Sequence, residues 1–206
     1  VLNGQKLGML DRDDNDLQKA LSVPLETLKE VGNRLAISTQ SASPDDIRVG
    51  EIALHSQTRD QLANNGEISV VVTDADTKLP LPCRLTIVDA KSNTMVLLGA
   101  KSSARLAVRA GVIYTLDGHA RFGLQAGHYR IWAGRGFEYG LTESVFEVKE
   151  GLVSEIALTL RREVETLGLV ACDPHLHTNE FARHGDATLV ERLITLAGEG
   201  IELPIS

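Results

Sequence analysis

The chain contains 206 residues, of which 43% are hydrophobic and 24% are charged, and its formal net charge is −7 at pH 7. This composition is typical of a folded globular protein with one large or two small domains. The negative balance predicts no nucleic-acid partner and no membrane partner, and no apolar run reaches the length of a transmembrane helix. The two cysteines, Cys83 and Cys172, are predicted to be buried free thiols. The chain begins at Val1 without a visible signal peptide, so we expect a missing or processed N-terminus.

Residues 1–66 have the spacing of an N-terminal helical segment. The tripeptide at 22–24, Ser-Val-Pro, is a typical helix start. Apolar residues then repeat on one helical face at Leu25, Leu28, Val31 and Leu35. Residues 43–46 carry a second start signal, and Asn64-Asn65-Gly66 is a strong stop. We therefore predict helices over this first domain.

Residues 67–162 have a different character. Short apolar or alternating runs recur with turn residues between them, which predicts an antiparallel β-sandwich domain with Trp132 at least partly buried. The sequence Asp-Ala-Asp-Thr-Lys at 74–78 predicts a turn. An aromatic binding patch would draw on Tyr129, Trp132, Phe137 and Tyr139. Packing in the core and turns is the favoured interpretation, because only 4% of the chain is aromatic.

The run from Val71 to Thr86 resembles a carboxypeptidase-regulatory-like, transthyretin-like β-sandwich. Such modules often precede a catalytic domain, and some bind carbohydrate or protein. The resemblance implies an accessory domain whose ligand would be a carbohydrate or a protein. It also places the loop at 135–140 against a following catalytic domain.

A candidate metal site follows an apolar run near the end of the chain. Residues 167–172 (Leu-Gly-Leu-Val-Ala-Cys) predict a buried strand, and Asp173, His175 and His177 come next. Side chains two apart in an extended segment share a face, so both imidazoles should point one way with Asp173 close by. Imidazole binds zinc, iron and similar ions, and the carboxylate would orient a ring or contact a second ion. The pattern predicts two metal ligands and one catalytic group.

The residues after this motif predict a loop, a helix and another strand. Thr188 and Glu191 have capping-box spacing, and Gly198 and Gly200 end the helix. One helical face carries Leu189, Leu193 and Leu196, and residues 201–206 begin a second apolar strand. Strand, loop, helix and strand together form one repeat of an α/β barrel, in which sites lie at the carboxyl ends of strands.

Two further residues are candidates within this repeat. His184 lies in the loop above the predicted site and is assigned a catalytic role. Glu199 lies at a helix C-terminus, where an acid is unfavourable, which indicates another reason for its presence. The predicted fold class is α+β: N-terminal helices, an antiparallel β-sandwich, and over 163–206 the first βα(β) unit of a truncated α/β barrel.

The run Asp173-Pro-His-Leu-His-Thr178, followed by His184-Gly-Asp186, resembles the opening of a PHP (polymerase and histidinol phosphatase) domain. The stretch from Ala197 to Ser206 is similar to its carbaryl-hydrolase-like branch. The resemblance implies a divalent metal (zinc, manganese or iron) and a phosphoester, carboxylic ester or carbamate substrate hydrolysed by metal-activated water. The family's further ligands, beginning with Thr-Asp-His-Asn, do not occur in the sequence. We expect an opening fragment of such a hydrolase, weak in metal binding and inactive by itself.

Two alternatives stay open. An amidohydrolase-type barrel also opens with His-x-His on its first strand, and the residues after Ser206 would separate the two enzyme classes. A non-enzymatic module is the second alternative, with the sandwich binding carbohydrate or protein. We also expect residues 167–206 to dock on the sandwich or on the N-terminal helices, or to self-associate, because their apolar faces need a cover.

Overall fold

A computed structural model describes residues 1–10, 15–39 and 48–205 of the chain. Within these ranges the protein is mostly β-sheet with few helices. Its helices are a 3-10 turn at Leu25–Thr27, α1 (Arg59–Ala63), α2 (Asn179–Ala182) and α3 (Leu189–Gly198). Its strands are β1 (Gly66–Asp74), β2 (Cys83–Asp89), β3 (Leu98–Gly99), β4 (Leu106–Arg109), β5 (Val112–Thr115), β6 (His119–Leu124), β7 (Gly127–Gly134), β8 (Thr142–Val148), β9 (Val153–Leu160), β10 (Cys172–Asp173) and β11 (Leu203–Pro204).

Strands β1 to β9 form two sheets, as the alternating runs predict. One sheet has the order β3-β6-β1-β9 and the other the order β4-β5-β2-β7-β8. Their strand pairs are antiparallel except β1 and β9, which run parallel with Val70 opposite Ile156. A parallel pair needs a long crossover, and the strands between β1 and β9 supply it. The predicted antiparallel sandwich is confirmed with this one exception.

The two sheets enclose a hydrophobic core. Alternation along β1 turns Ile68, Val70 and Val72 inward, where they are fully buried. Leu85 of β2 and Ile131 of β7 reach the same core from the other sheet. Burying each such side chain contributes about 1.5–3 kcal/mol, and a register slip of one residue would expose the whole row. The period of two in the sequence therefore sets which face of each sheet lies inside.

The turn after β1 forms as predicted. Asp74 Oδ1 accepts hydrogen bonds from the main-chain nitrogens of Thr77 at 2.8 Å and Asp76 at 2.9 Å. The bond from Thr77 is the main reason why the pKa of Asp74 lies below its ordinary value. Lys78 ends the turn with φ at 62°, a left-handed conformation.

The predicted N-terminal helices are wrong for the described part of residues 1–66. Only the 3-10 turn at Leu25–Thr27 and the short helix α1 form there. Leu25 and Val31 of the predicted stripe are 84% and 83% exposed, so the stripe has no apolar surface to pack against. A helix over residues 25–35 would be short, and a short helix is marginal in water without such packing. Gly32, at φ 72°, has a left-handed conformation that would interrupt this helix. The second predicted start, at 43–46, lies outside the described residues.

Hydrogen bonds between distant main-chain groups shape this segment instead. The main chains of Val1 and Ala36 exchange two hydrogen bonds, of 2.9 and 2.8 Å, which close a loop of the first part of the chain. On either side of Leu17, the main chains of Asp16 and Gln18 form hydrogen bonds with the main chain of Met95, which lies between β2 and β3. Extended backbone thus takes the place of the predicted helices.

Residues 167–205 form a separate β–α–β unit, in which β10 and β11 run parallel with Cys172 opposite Leu203. The predicted buried strand over 167–172 is wrong in length and burial, since regular pairing is confined to Cys172–Asp173 and Leu167 is 92% exposed. Apolar composition alone favoured a buried strand, but the contact with β11 reaches back only to Ala171, whose main-chain oxygen accepts from Leu203, and Leu169 and Val170 are exposed. The truncated barrel therefore stays a prediction. In the ranges described, no helix has the length and apolarity needed to span a membrane.

Candidate metal centre

Helix α3 docks on the five-stranded sheet through its first turn. Thr188 caps the helix, and its side chain and that of Glu191 form the predicted capping box. Glu191 also accepts a hydrogen bond from Arg109 of β4 at 3.1 Å. Hydrogen bonding by Ser102, then by the Thr188 main chain, and by Arg109 lowers the pKa of Glu191 to about 2.

The end of α3 docks on the same sheet. Glu199 accepts hydrogen bonds from Tyr114 Oη at 3.0 Å and from Arg84 at 3.3 Å. Burial, reinforced by the Glu199 charge, raises the pKa of Tyr114. These contacts account for an acid at a helix C-terminus, because Arg84 offsets its charge and the Tyr114 hydroxyl donates a hydrogen bond to it. The predicted additional role of Glu199 is attachment to the sandwich.

The loop after β7 adds a third attachment. Arg135 donates to the Ala197 main-chain oxygen and, at 2.8 Å, to that of Pro82. Gly136, at φ 55°, lies so close to Glu199 that a Cβ would come within 2.2 Å of its main-chain oxygen. The loop at 135–140 therefore faces the C-terminal unit, and the predicted docking of residues 167–206 on the sandwich is confirmed for the described residues.

Three histidines meet where β10 ends. The Nε2 atoms of His175 and His177 lie 2.7 Å apart, with ring centroids 4.7 Å apart. The ring of His184, brought back by α2 and its loop, lies 4.6 Å from that of His177. Asp173 Oδ1 accepts a hydrogen bond from the His175 main-chain nitrogen at 3.1 Å. The extended spacing thus brings both imidazoles together with Asp173 beside them, as predicted.

The surroundings of His177 favour its neutral imidazole. Loss of hydration, followed by the positive charges of His184, His175 and Arg192, lowers the pKa of His177. His184 Nδ1 lies 2.6 Å from the Ala182 main-chain oxygen. Because a carbonyl only accepts, Nδ1 donates in this contact, and Nε2 is the nitrogen that a metal ion would bind. Such a bond orients a ligating imidazole in many metal sites.

The donor set is that of a partial site. Ligands about 2.0–2.1 Å from a tetrahedral zinc lie roughly 3.3 Å from each other, so the two Nε2 atoms need only a small ring rotation to share an ion. Imidazole is the right donor for zinc, and the Asp173 carboxylate suits manganese. Within the described ranges, no group of three or more His, Cys, Asp or Glu is already arranged around one point. The residues fit a divalent ion as ligands that other groups must complete.

One cysteine, Cys172, lies on β10 beside the site, and Cys83 and the aromatic residues of the predicted patch lie in the sandwich. Cys83 is buried, which raises its pKa to about 12, but Cys172 is exposed, so the prediction of two buried thiols is half wrong. The wrong prediction for Cys172 followed from the predicted burial of residues 167–172. Tyr129 faces the core, whereas the half-buried Trp132 faces away and donates to Glu143 at 2.9 Å. Trp132 is thus partly buried as predicted, and Tyr129 packs in the core as favoured.

The residue that sequence reasoning missed is Arg192 on α3. Its Nε donates to the His177 main-chain oxygen at 3.1 Å, and its Nη2 donates to Asp186 Oδ1 at 3.2 Å. Neither partner has a helical spacing that the sequence would reveal. Only the return of α3 past the histidine segment brings these groups together.

Comparisons with known proteins return distant structural neighbours. No family model matches the chain, and no curated protein matches it. The minor pilin GBS52 of Streptococcus agalactiae is 15% identical with a TM-score of 0.38, covering 50% of this chain and 47% of its own. The shaft pilin SpaA of Lactobacillus rhamnosus GG is 14% identical with a TM-score of 0.34, covering 48% of each chain. The chain thus spans about half the length of each, and similarity this low carries no argument about fold or function.

Proposed function

We propose that His175, His177 and His184 supply ligands to the divalent metal centre of a hydrolase. The observation that carries the proposal is the convergence of three imidazoles at the carboxyl end of β10. Parallel β–α–β units place functional side chains at that end of the strand. The motif around His175 and its resemblance to the PHP opening support the same assignment.

The proposed substrate is a phosphoester, a carboxylic ester or a carbamate. A bound zinc, manganese or iron ion would lower the pKa of its water and polarise the substrate oxygen. Asp173 holds the direction of the histidine segment through its bond to the His175 main chain. Its other oxygen is the proposed general base or ligand of a second ion. His184, with its Nε2 turned outward from the Ala182 bond, is the proposed third ligand or proton carrier.

Calorimetric titration with zinc and with manganese tests the ligand assignment. We expect weak binding by this chain, with a Kd above about 1 μM, because the described ligands only begin a coordination shell. His175→Ala and His177→Ala should abolish it. His128→Ala, which removes an exposed imidazole on β7, is the matched control and should leave it unchanged. Binding that survives both substitutions in the motif would remove the ligand assignment.

Hydrolysis is measured on the whole gene product. Nitrophenyl phosphate, nitrophenyl acetate and an aryl carbamate cover the three proposed substrate classes. We expect turnover of one class that needs added zinc, manganese or iron and that His177→Ala eliminates. Turnover that persists with chelator, or in both histidine variants, contradicts a metal-dependent hydrolase.

A further inference from the structure

Arg192 joins three pieces of chain around the histidines. Its two hydrogen bonds connect α3 to the main chain of His177 and to Asp186, which lies two residues after His184. The His177 segment and the His184 loop also meet through the main-chain hydrogen bond from Asn179 to Ala187, at 3.0 Å, and through contact of the two rings. Among the described side chains, Arg192 bonds both stretches next to the imidazoles themselves.

The geometry requires arginine. The planar guanidinium presents donors in a rigid fork, so Nε and Nη2 reach two acceptors at once. A lysine ammonium is a point donor on a flexible stem and lacks this fixed spacing. The bond to the His177 oxygen is partly buried, and a charged donor makes it stronger than an ordinary main-chain bond.

Helix α3 is a firm base for this contact. Glu191 bonds Arg109 near one end, and Glu199 bonds Tyr114 at the other. Arg192 lies directly after the first of these anchors. Because α3 is attached to the sandwich near both ends, the sandwich fixes the place where Arg192 bonds the His177 main chain.

We propose that Arg192 is a positioning residue of the metal centre, which fixes the His177 ring between those of His175 and His184. This inference rests on the proposed function, since it assigns a role in assembling that site. Side chains that orient metal ligands typically raise metal affinity about 10- to 100-fold. We expect a contribution of the same order from Arg192. Removing the guanidinium should free the His177 segment without unfolding the sandwich.

The first experiment uses the metal-free protein. Proton NMR measures the cross-relaxation between the His177 and His184 rings, whose centroids are 4.6 Å apart. We expect Arg192→Gln and Arg192→Lys both to lose this signal while circular dichroism stays unchanged. Arg183→Gln is the matched control, because it removes the same charge from the residue next to His184, and the Arg183 side chain has no hydrogen bond or ion pair among the described residues.

The second experiment titrates the same variants with zinc. Affinity should fall about 10- to 100-fold in Arg192→Gln and Arg192→Lys and stay unchanged in Arg183→Gln. Full recovery by lysine would overturn the positioning role, since charge alone would then suffice. Unchanged ring contacts in Arg192→Gln would overturn it as well. If the unaltered chain binds no zinc while Arg192→Gln loses the ring contacts, the proposed function fails and the positioning role stands.

Discussion

The β-sandwich and the β10–α3–β11 unit differ in how much of their large apolar side chains is buried. In the sandwich, Ile68, Leu85 and Ile131 have no exposed surface. In the C-terminal unit, Leu167 is 92% exposed, and Leu193 on α3 is 52% exposed. The sandwich is held by its large core, whereas the C-terminal unit buries fewer large apolar side chains, Ile194 and Leu196 of α3, and adds polar contacts with the sandwich. The functional candidates all lie on the second kind of structure.

This difference has a consequence for stability. Local opening costs least where few apolar contacts are buried and most in the core strands. The histidine cluster therefore depends on the contacts of Arg109 and Arg135 with the C-terminal unit and on the bond of Arg192 within it. Three predictions test this contrast, from the largest expected effect to the smallest.

The largest effect is expected in the sandwich core. Ile87→Ala removes a fully buried side chain and should lower the free energy of unfolding by about 2–5 kcal/mol. Leu193→Ala is the matched truncation on α3 and should change it by at most about 0.5 kcal/mol, since that side chain is half exposed. Urea denaturation followed by circular dichroism measures both. Equal losses of unfolding free energy in the two variants would contradict a larger contribution of the sandwich core than of this α3 side chain.

Arg135→Met should weaken docking rather than the sandwich. The substitution removes the Arg135 donor from the oxygens of Pro82 and Ala197, the second of which keeps its bond from the Gly200 main chain, and it should cost about 1–3 kcal/mol. Hydrogen exchange should show faster opening of α3 amides, with the amides of β1 unchanged. Arg161→Met removes an exposed ion pair with Asp76, 3.6 Å apart, and serves as the control with little effect. Protection of α3 that is equal in both variants would exclude Arg135 as an anchor.

A smaller effect is expected from the titration of Glu191. Its pKa is about 2 in the folded protein against an ordinary 4.5, so the carboxylate contributes stability above pH 4.5. This contribution declines as pH falls from 4.5 and is gone below about 2. After allowance for solvent screening it amounts to about 1–2 kcal/mol. Hydrogen exchange of α3 between pH 6 and 3 measures it.

Glu191→Gln is the control for this titration. The amide keeps the size of the side chain but cannot ionise, so α3 should be less protected at pH 6 and should change less on acidification. If the pH dependence is the same in both proteins, another acid controls the docking.

Local patterns in the sequence were sufficient where each residue's neighbours determine its environment. The period of two along β1, the turn at Asp74 and the capping box of Thr188 and Glu191 form as the sequence predicts. The spacing of His175 and His177 places their rings together for the same reason. Extended geometry and hydrogen bonds within a turn depend on few residues, so a short stretch of sequence specifies them.

The same reasoning failed where a distant surface was needed. The stripe at Leu25 and Val31 has helical spacing but both side chains are exposed, and only a 3-10 turn forms there. Residues 167–171 are apolar enough for a buried strand, yet only Cys172–Asp173 pairs. The spacing of apolar residues indicates which face of a helix or strand needs burial. It does not indicate whether another part of the chain covers that face.

The sequence by itself thus determined the sheet faces, the turns, the start of α3 and the paired imidazoles. The tertiary structure decided that His184 returns to His177, that Glu199 meets Tyr114, and that Arg192 reaches the His177 main chain. These contacts join groups whose sequence separations carry no regular period. They form only when the segments fold back on one another, within the C-terminal unit for the two His177 contacts and between α3 and the sandwich for Glu199.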